Sequence, residues 1–218
     1  MKYKTIIFDL DGTLLDSIRG IVDAANTTFE ELGYDLHHDY EIGKTFIGGG
    51  ALKFIENASR DLKVTPEEYK KIQERFLYNY DKLQNITTKP YPGIEKLILD
   101  LQKAGYIVAV SSNKPHLFLE HVLDDKFTNI KFDLRLGQRD GIPMKPDPYC
   151  INEIIEHFGL DKKDCLYVGD SHFDFETAHN AHIDNVTVRY GYGDYSQDFV
   201  KKSTYVVDSV EELRKILL

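Results

Sequence analysis

Apolar and polar residues recur along the chain with two different periods, and these periods predict its secondary structure. A short, continuous apolar run with β-branched residues, as at 5–8, is typical of a buried strand. Apolar residues three and four positions apart, as over 18–32, predict an amphipathic helix, here with Ser17 as its N-cap. The same criteria predict five further strands, at 106–110, 133–136, 165–168, 185–188 and 205–207.

Helical patterns separate these later strands. Strands that alternate with helices form a parallel sheet through right-handed crossovers, with helices on both faces. The segment after the first strand instead carries helical patterns alone, and Thr65 to Glu68 form a capping-box sequence that starts a helix extending to about Leu83. The predicted fold class is therefore α/β, a Rossmann-like doubly wound parallel sheet with an inserted all-helical cap. We expect a core of 1–15 and 87–218, with the cap at 16–86.

Composition narrows the possible partners and the compartment. The 218 residues suit one domain with an insertion, and 27 basic against 36 acidic residues give a net charge of -9. This charge argues against a sequence-independent nucleic-acid binder. Cys150 and Cys165 form neither a disulfide framework nor a metal-ligand spacing, and no apolar run approaches the roughly 20 residues that span a bilayer. We expect a cytoplasmic monomer or homodimer without nucleic-acid or membrane partners.

The first candidate chemistry lies where the first predicted strand ends. Asp9 and Asp11 follow that strand, and Gly12 lets the chain turn sharply behind them. Two nearby carboxylates at the end of a buried strand repel each other and are penalised by desolvation, and a divalent cation would offset both costs. The alternative is an Asx-turn in which the two aspartates only support the turn.

Further polar groups follow other predicted strands or lie just beyond them: Ser112 with Asn113, Lys145, and Asp170 with Asp174. Each has a structural alternative, namely a helix cap, a solvated loop lysine or a strand-to-helix turn. Ligands of open α/β sheets bind outside the carboxyl ends of the strands. Together these carboxylate, hydroxyl, amide and ammonium groups suit a hard cation such as Mg²⁺ beside a phosphoryl group. The sequence contains no P-loop motif, which disfavours a P-loop nucleotidase.

These residues resemble the four motifs of the haloacid dehalogenase superfamily. The matching stretches are 8–13, Ser112-Asn113-Lys114, Lys145 and Gly169-Asp170-Ser-x-x-Asp174. The match covers nearly the whole chain, and the insertion resembles the helical, C1-type cap of the superfamily's phosphoglycolate-phosphatase-like members. One departure is His182, which follows Ala181 where relatives commonly have glycine, and it concerns a helix end and none of the catalytic groups.

The resemblance implies a role for each aspartate. Asp9 would be the nucleophile that forms an aspartyl-phosphate, and Asp11 would protonate the leaving alkoxide and then deprotonate the attacking water. Mg²⁺ would be held by Asp9, the backbone carbonyl of Asp11, and Asp170. Asp174 would orient the metal shell through water or through Lys145.

The resemblance also implies the groups that hold the substrate. Ser112 and the backbone amide of Asn113 would bind phosphoryl oxygens, and Lys145 would balance the charge of the nucleophile and the phosphoryl group. Specificity would come from the cap, where Gly48 and Gly49 belong to a glycine loop expected to reach the core. A plain turn between helices is the alternative for this loop.

The predicted activity is Mg²⁺-dependent hydrolysis of a small phosphorylated metabolite, a phosphate monoester, with phosphoglycolate as the first candidate. A β-phosphoglucomutase-like phosphomutase, a pyrophosphatase and a nucleotidase on the same fold remain alternatives. A dehalogenase would lack Asp11, and phosphonatases carry a Schiff-base lysine where this chain has Ala51. A regulatory binding protein would have lost the nucleophile or the lysine. The spacing of His172, His179 and His182 lacks a clear zinc-ligand set.

Overall fold

The centre of the protein is a six-stranded parallel sheet, seen in a computed structural model that describes residues 2–218. The described residues form eight strands: β1 (Thr5–Phe8), β2 (Leu15–Asp16), β3 (Lys89–Pro90), β4 (Ile107–Pro115), β5 (Leu134–Gln138), β6 (Cys165–Gly169), β7 (Asp184–Val188) and β8 (Tyr205–Val207). The large sheet has the order β5-β4-β1-β6-β7-β8, and every neighbouring pair in it is parallel. The strand order reverses beside β1, which places a ligand crevice at the carboxyl end of that strand.

The helices of the described chain fall into two groups, those that flank the sheet and those inserted between β2 and β3. They are α1 (Ile18–Glu31), α2 (Tyr40–Lys44), α3 (Gly50–Ala58), α4 (Pro66–Thr87), α5 (Ile94–Lys103), α6 (His116–Lys126), α7 (Tyr149–His157), α8 (His172–Ala181), α9 (Phe199–Lys202) and α10 (Val210–Leu217). None of the helices in residues 2–218 combines the length and the apolar composition that crossing a bilayer requires.

Alternation along β1 sends successive side chains to opposite faces of the sheet. Ile6 and Phe8 belong to a buried cluster shared with α5, α6 and α10. Ile7 belongs to a second cluster, shared with α7 and α8. Because every side chain of this central strand is buried, its sequence reads as a continuous apolar run. The predicted α/β fold with a doubly wound parallel sheet is confirmed.

The inserted helices α1 to α4 pack around a third cluster. Its aromatic members include Phe54, Phe76 and Tyr80, which stack in sequence with ring centroids 5.8 and 5.5 Å apart. The insertion leaves and rejoins the sheet domain through β2 and β3, a two-residue antiparallel ribbon in which Leu15 pairs with Pro90. The sequence pattern did not predict this ribbon, because two residues are too few to show a period.

Several predicted boundaries need correction. Helix α4 continues to Thr87, beyond the predicted end near Leu83, because Gln84 is buried and donates to the Phe118 carbonyl on α6 at 3.3 Å. Strand β4 continues to Pro115 instead of ending at 110, since its extension pairs with β5 across a register shift. The short helix α9 lacked a recognisable pattern.

The two predicted helix caps have different outcomes. At α4 the reciprocal capping box between Thr65 and Glu68 is present, as predicted. Ser17 occupies the N-cap position of α1, but its side chain makes no capping hydrogen bond. Instead the backbone amides of Ser17 and Ile18 donate to the hydroxyl of Tyr192 at 2.6 and 3.0 Å. A side chain distant in sequence therefore caps this helix.

Candidate active site

The loop after β1 brings Asp9 and Asp11 to the crevice. The Asp9 amide donates to the Val168 carbonyl at 2.8 Å, which holds the loop against β6. Gly12 follows with φ +89°, and a Cβ at this position would overlap the carboxylate of Asp170. Glycine is therefore required here both by the backbone conformation and by the close approach of the two loops.

Three buried carboxylates meet at this point. Asp9, Asp170 and Asp174 each offer an oxygen atom, and these atoms lie within 4.8 Å of one another. Burial, and then repulsion from Asp174, raise the pKa of Asp9 to about 7, and the same two causes raise the pKa of Asp170 well above its usual range. One ammonium group contacts this cluster, so negative charge remains in excess. Buried oxygen ligands with excess negative charge fit a hard cation such as Mg²⁺.

That ammonium group belongs to Lys145. Its Nζ donates to Asp9 Oδ1 at 2.7 Å, to Asp174 Oδ1 at 2.6 Å and to the Tyr167 hydroxyl at 3.2 Å. Burial opposes the charged form, but Asp174 and Asp9 prevail and raise the pKa of Lys145 well above its usual value. Asp174 is held in turn by the hydroxyl of Ser171, which donates to its Oδ2 at 2.6 Å. The lysine is therefore fixed beside the proposed nucleophile.

The end of β4 supplies Ser112 and Asn113, both buried and both facing the cavity. The side-chain amide of Asn113 donates to the Gly48 carbonyl at 2.9 Å, and its Oδ1 accepts from the Lys145 amide at 2.8 Å. The Asn113 side chain thus connects the inserted segment, at Gly48, to the loop that carries Lys145. The Ser112 Oγ accepts from the Lys114 amide at 3.3 Å.

Lys114, which carried no predicted role, contacts Asp11, whereas Lys145 contacts Asp9. The Lys114 side chain is 1% exposed, and its Nζ lies 3.4 Å from both carboxylate oxygens of Asp11. The ammonium also donates to the hydroxyl of Tyr80, on α4. Burial lowers the pKa of Lys114, while the Asp11 carboxylate opposes that shift.

These groups line a cavity of about 580 Å³ between the sheet and the inserted helices. The predicted residues that line it are Asp9, Asp11, Gly48, Ser112, Asn113, Lys145 and Asp170. Gly49 does not line the cavity; its neighbours Gly48 and Gly50 do. The acidic cluster found among residues 2–218 consists of the carboxylates of Asp9, Asp170 and Asp174.

Sequence reasoning missed three functional candidates besides Lys114. Tyr80 looked like an ordinary apolar position of a helix. Thr13 and Tyr192 hold Asp170, since the Thr13 hydroxyl donates to one carboxylate oxygen at 3.3 Å and the Tyr192 amide to the other at 2.7 Å. Lys114 could have been found from the sequence, because it belongs to the recognised motif Ser112-Asn113-Lys114. Tyr192 lies in an irregular segment without any such signal.

Comparison with known proteins agrees with this geometry. The sequence profile described as "Haloacid dehalogenase-like hydrolase" matches residues 6–188. The chain is 31% identical over 220 residues to a phosphoglycolate phosphatase from Vibrio cholerae, covering 99% of this chain and 97% of that one. It is 32% identical over 224 residues to a phosphoglycolate phosphatase from Pasteurella multocida, covering 99% of each chain.

Solved structures show the same similarity in three dimensions. The crystal structure of a predicted phosphoglycolate phosphatase from Haemophilus somnus superposes with a TM-score of 0.91 at 28% identity, covering 100% of this chain and 99% of that one. A predicted phosphatase from Clostridium acetobutylicum superposes with a TM-score of 0.84 at 25% identity, covering 100% and 99%. The chain therefore belongs to the haloacid dehalogenase-like hydrolases and is a phosphatase, as the sequence motifs predicted.

Proposed function

We propose that this phosphatase hydrolyses a small phosphate monoester with Mg²⁺ as its cofactor and with a phosphoryl group carried transiently on Asp9. The observation that carries the proposal is the position of the Asp9 carboxylate, which lines the cavity and contacts the Lys145 ammonium at 2.7 Å. A carboxylate held by a cation at the wall of an otherwise accessible cavity is suited to nucleophilic attack.

The proposed reaction proceeds in two displacements. An Asp9 oxygen attacks phosphorus, the bond from phosphorus to the ester oxygen breaks, and Asp11 donates its proton to that oxygen. A water molecule then attacks the aspartyl-phosphate, gives its proton back to Asp11, and releases inorganic phosphate. Asp9 and Asp11 are thereby both restored to their starting states.

The other predicted residues act on the phosphoryl group and on the carboxylates. Ser112 and the Asn113 amide bind phosphoryl oxygens, and Lys145 offsets negative charge as it develops. Asp9, the backbone carbonyl of Asp11, and Asp170 would hold Mg²⁺, which neutralises phosphoryl charge when bound. Asp174 keeps the Lys145 side chain directed at Asp9.

Residues 16–86 act as a cap over a core of 1–15 and 87–218. Two contacts support this division: Asn113 donates to Gly48, and Lys114 donates to Tyr80. Both contacts cross from the sheet to the inserted helices and would break if the cap swung away about the β2 and β3 ribbon. Closure excludes water from the reacting groups. Gly48 would approach the substrate, with Gly49 shaping the same loop.

Phosphoglycolate is the first candidate among small phosphorylated metabolites, and we place the reaction in the cytoplasm. The names of the Vibrio and Pasteurella relatives support this substrate. The test is release of inorganic phosphate from 2-phosphoglycolate, sugar phosphates, nucleoside monophosphates, pyrophosphate and p-nitrophenyl phosphate, each with Mg²⁺ and with EDTA. We expect Mg²⁺-dependent release, and fastest from phosphoglycolate. Isomerisation of a sugar phosphate without phosphate release would overturn the proposal in favour of a phosphomutase.

A further inference from the structure

The buried lysine on the leaving-group side of the site has no part in the mechanism above. Lys114 extends from the end of β4 and ends between Asp11, in the core, and Tyr80, on α4. In the proposed function Asp11 contacts the ester oxygen that departs. The Lys114 ammonium, 3.4 Å from that carboxylate, therefore lies beside the leaving group, whereas Lys145 contacts the nucleophile.

The charge of Lys114 is incompletely matched by the protein. Lys145 approaches its carboxylate partners to 2.7 and 2.6 Å, but Lys114 reaches both oxygens of Asp11 only at 3.4 Å. Its other partner, Tyr80, is a neutral hydroxyl. Buried ammonium groups are generally closely paired, because desolvation of an isolated charge is costly. A close anionic partner is therefore missing at this position.

Tyr80 is arranged to serve the same anion. Its hydroxyl oxygen accepts from Lys114, and its own O–H finds no acceptor among the described residues. Burial raises the pKa of Tyr80 well above its usual value, so the proton is retained. The ammonium and the hydroxyl thus offer two donors at one end of the cavity, and charge-assisted hydrogen bonds from such donors suit a carboxylate.

The remaining lysine among the described residues that line the cavity is already paired with a carboxylate. Lys44, on α2, pairs with Glu41 at 2.7 Å, and its side chain is 34% exposed. No arginine is found among the described residues that line the cavity. Lys114 is therefore the cation best placed to select a second negative charge on the substrate.

We propose that Lys114 and Tyr80 form the subsite for a carboxylate that the substrate carries a few bonds from its ester oxygen. The inference rests on the proposed phosphatase function. It implies that the substrate carries a dianionic phosphoryl group at one end and a carboxylate at the other. Since Lys114 belongs to the core and Tyr80 to the inserted helices, the complete subsite exists only when these two parts are in contact. The carboxylate of the substrate is thus bound by both residues only when the inserted helices close against the sheet.

The test compares two substrates that differ at this end alone. In 2-phosphoglycolate the carbon farther from the phosphoryl group is a carboxylate, whereas in 2-hydroxyethyl phosphate the corresponding carbon carries a neutral hydroxyl. We expect wild-type protein to favour phosphoglycolate in kcat/KM. Lys114→Met should lower kcat/KM for phosphoglycolate about 10- to 100-fold more than for the neutral ester, the range expected for a charged hydrogen bond. Tyr80→Phe removes only a neutral hydroxyl. It should also lower kcat/KM more for phosphoglycolate than for the neutral ester, but by a smaller factor than Lys114→Met.

Two control variants and a second readout separate the alternatives. Lys44→Met tests the competing cation of the cavity, and Lys53→Met removes an exposed ammonium of α3 that pairs with Glu56. We expect neither to alter the ratio between the two substrates. Thermal unfolding of each variant establishes that it is folded before its ratio is interpreted.

Several outcomes would overturn the subsite. Equal losses on both substrates in Lys114→Met and Tyr80→Phe would show that the pair only positions Asp11. A selective loss in Lys44→Met would move the subsite to α2. A wild-type protein without preference between the two esters would remove the subsite altogether. Failure of the proposed function itself looks different, because folded wild-type protein with Mg²⁺ would then release no phosphate from any monoester.

Discussion

At the scale of single residues, the two aspartates of one loop have different surroundings. Asp9 is buried against the Lys145 ammonium and two further carboxylates. The Asp11 side chain is 14% exposed and faces Lys114. Two carboxylates in different electrostatic settings can serve as nucleophile and as proton donor.

Asp9→Asn keeps the shape of the side chain but removes the attacking oxygen. We expect turnover to fall by on the order of 10³ or more, the usual cost of losing an activated nucleophile. Steady-state phosphate release measures this, and circular dichroism verifies the fold. Retention of more than a few per cent of wild-type turnover would contradict attack by Asp9.

Asp11→Asn should leave the backbone carbonyl proposed as a metal ligand in place and remove proton transfer. We expect a loss of about 10² to 10⁴ with alkyl phosphates. The loss should be smaller with p-nitrophenyl phosphate, whose leaving group needs no proton, as long as phosphorylation of Asp9 limits the rate. Equal losses with both esters under that condition would exclude Asp11 as the leaving-group acid.

The raised pKa of Asp9, about 7, predicts how the metal-free protein responds to pH. In the unfolded chain this group ionises near pH 4, so between about pH 4 and 7 the native state binds more protons and stability falls as pH rises. Melting temperatures in EDTA should therefore be lower at pH 8 than at pH 5, and Asp9→Asn should reduce that difference.

Mg²⁺ should reverse this trend, because a cation that binds only the native state stabilises it by mass action, and ionised carboxylates bind it best. Melting in excess Mg²⁺ at pH 5 and pH 8 is the measurement. An equal rise at both pH values, or no rise, would argue against a metal held by this carboxylate cluster.

At the scale of elements, the glycine loop before α3 is one of the parts of the inserted segment that contact the catalytic end of the sheet. Gly48 has φ +114° and its carbonyl accepts from Asn113. Gly50 has φ +82°, and a Cβ there would lie 3.1 Å from the Asn113 carbonyl oxygen. The loop therefore requires glycine for both conformation and clearance.

Gly48→Ala should displace this loop, because the new Cβ would strain the backbone and lie 2.6 Å from the ring of Phe173. We expect kcat/KM for phosphoglycolate to fall at least tenfold, since misplacing groups by about an ångström is costly in catalysis. Gly33→Ala is the matched control, with φ +79° and no atom within 4 Å of the added Cβ. It should cost about 1 kcal/mol of stability with normal kinetics. Similar kinetics in Gly48→Ala and Gly33→Ala would show that the glycine loop does not contribute to the use of this substrate.

At the scale of the whole molecule, a single residue links the carboxylate cluster to the start of the inserted helices. Tyr192 donates its amide to Asp170, accepts from the first amides of α1, and donates its hydroxyl to Asp16 at 2.8 Å. It also packs against the apolar cluster of the inserted helices. The proposed metal-binding carboxylate Asp170 and strand β2, through which the chain enters the inserted helices, thus share one partner residue.

Tyr192→Phe removes the hydroxyl that caps α1 and leaves two backbone donors without a partner. We expect the free energy of unfolding to fall by about 1 to 3 kcal/mol, the cost of unsatisfied buried groups. Urea denaturation measures the change, and Tyr149→Phe is a control on an exposed tyrosine. An unchanged denaturation midpoint in Tyr192→Phe would show that the hydroxyl at the start of α1 contributes nothing to the stability of the protein.

The sequence by itself determined the sheet, its helices and most of the catalytic end. Apolar periodicity and turn residues are local properties, so strands such as 165–168 and the capping box at Thr65 could be predicted without neighbours. Asp9 and Asp11 are joined by only one residue, and their approach to the same point needed no long-range information. Ser112, Lys145 and Asp170 follow predicted strands or lie just beyond them, which placed them at the same edge of the sheet.

Tertiary structure decided which polar group faces which. Lys114 and Lys145 are both lysines beside prolines, and nothing local assigns one to Asp11 and the other to Asp9. That choice follows from the extension of β4 by pairing with β5, and from the packing of α4 that carries Tyr80 to the site. These contacts join residues far apart in sequence, and their energies depend on burial and distance, which exist only in the folded chain.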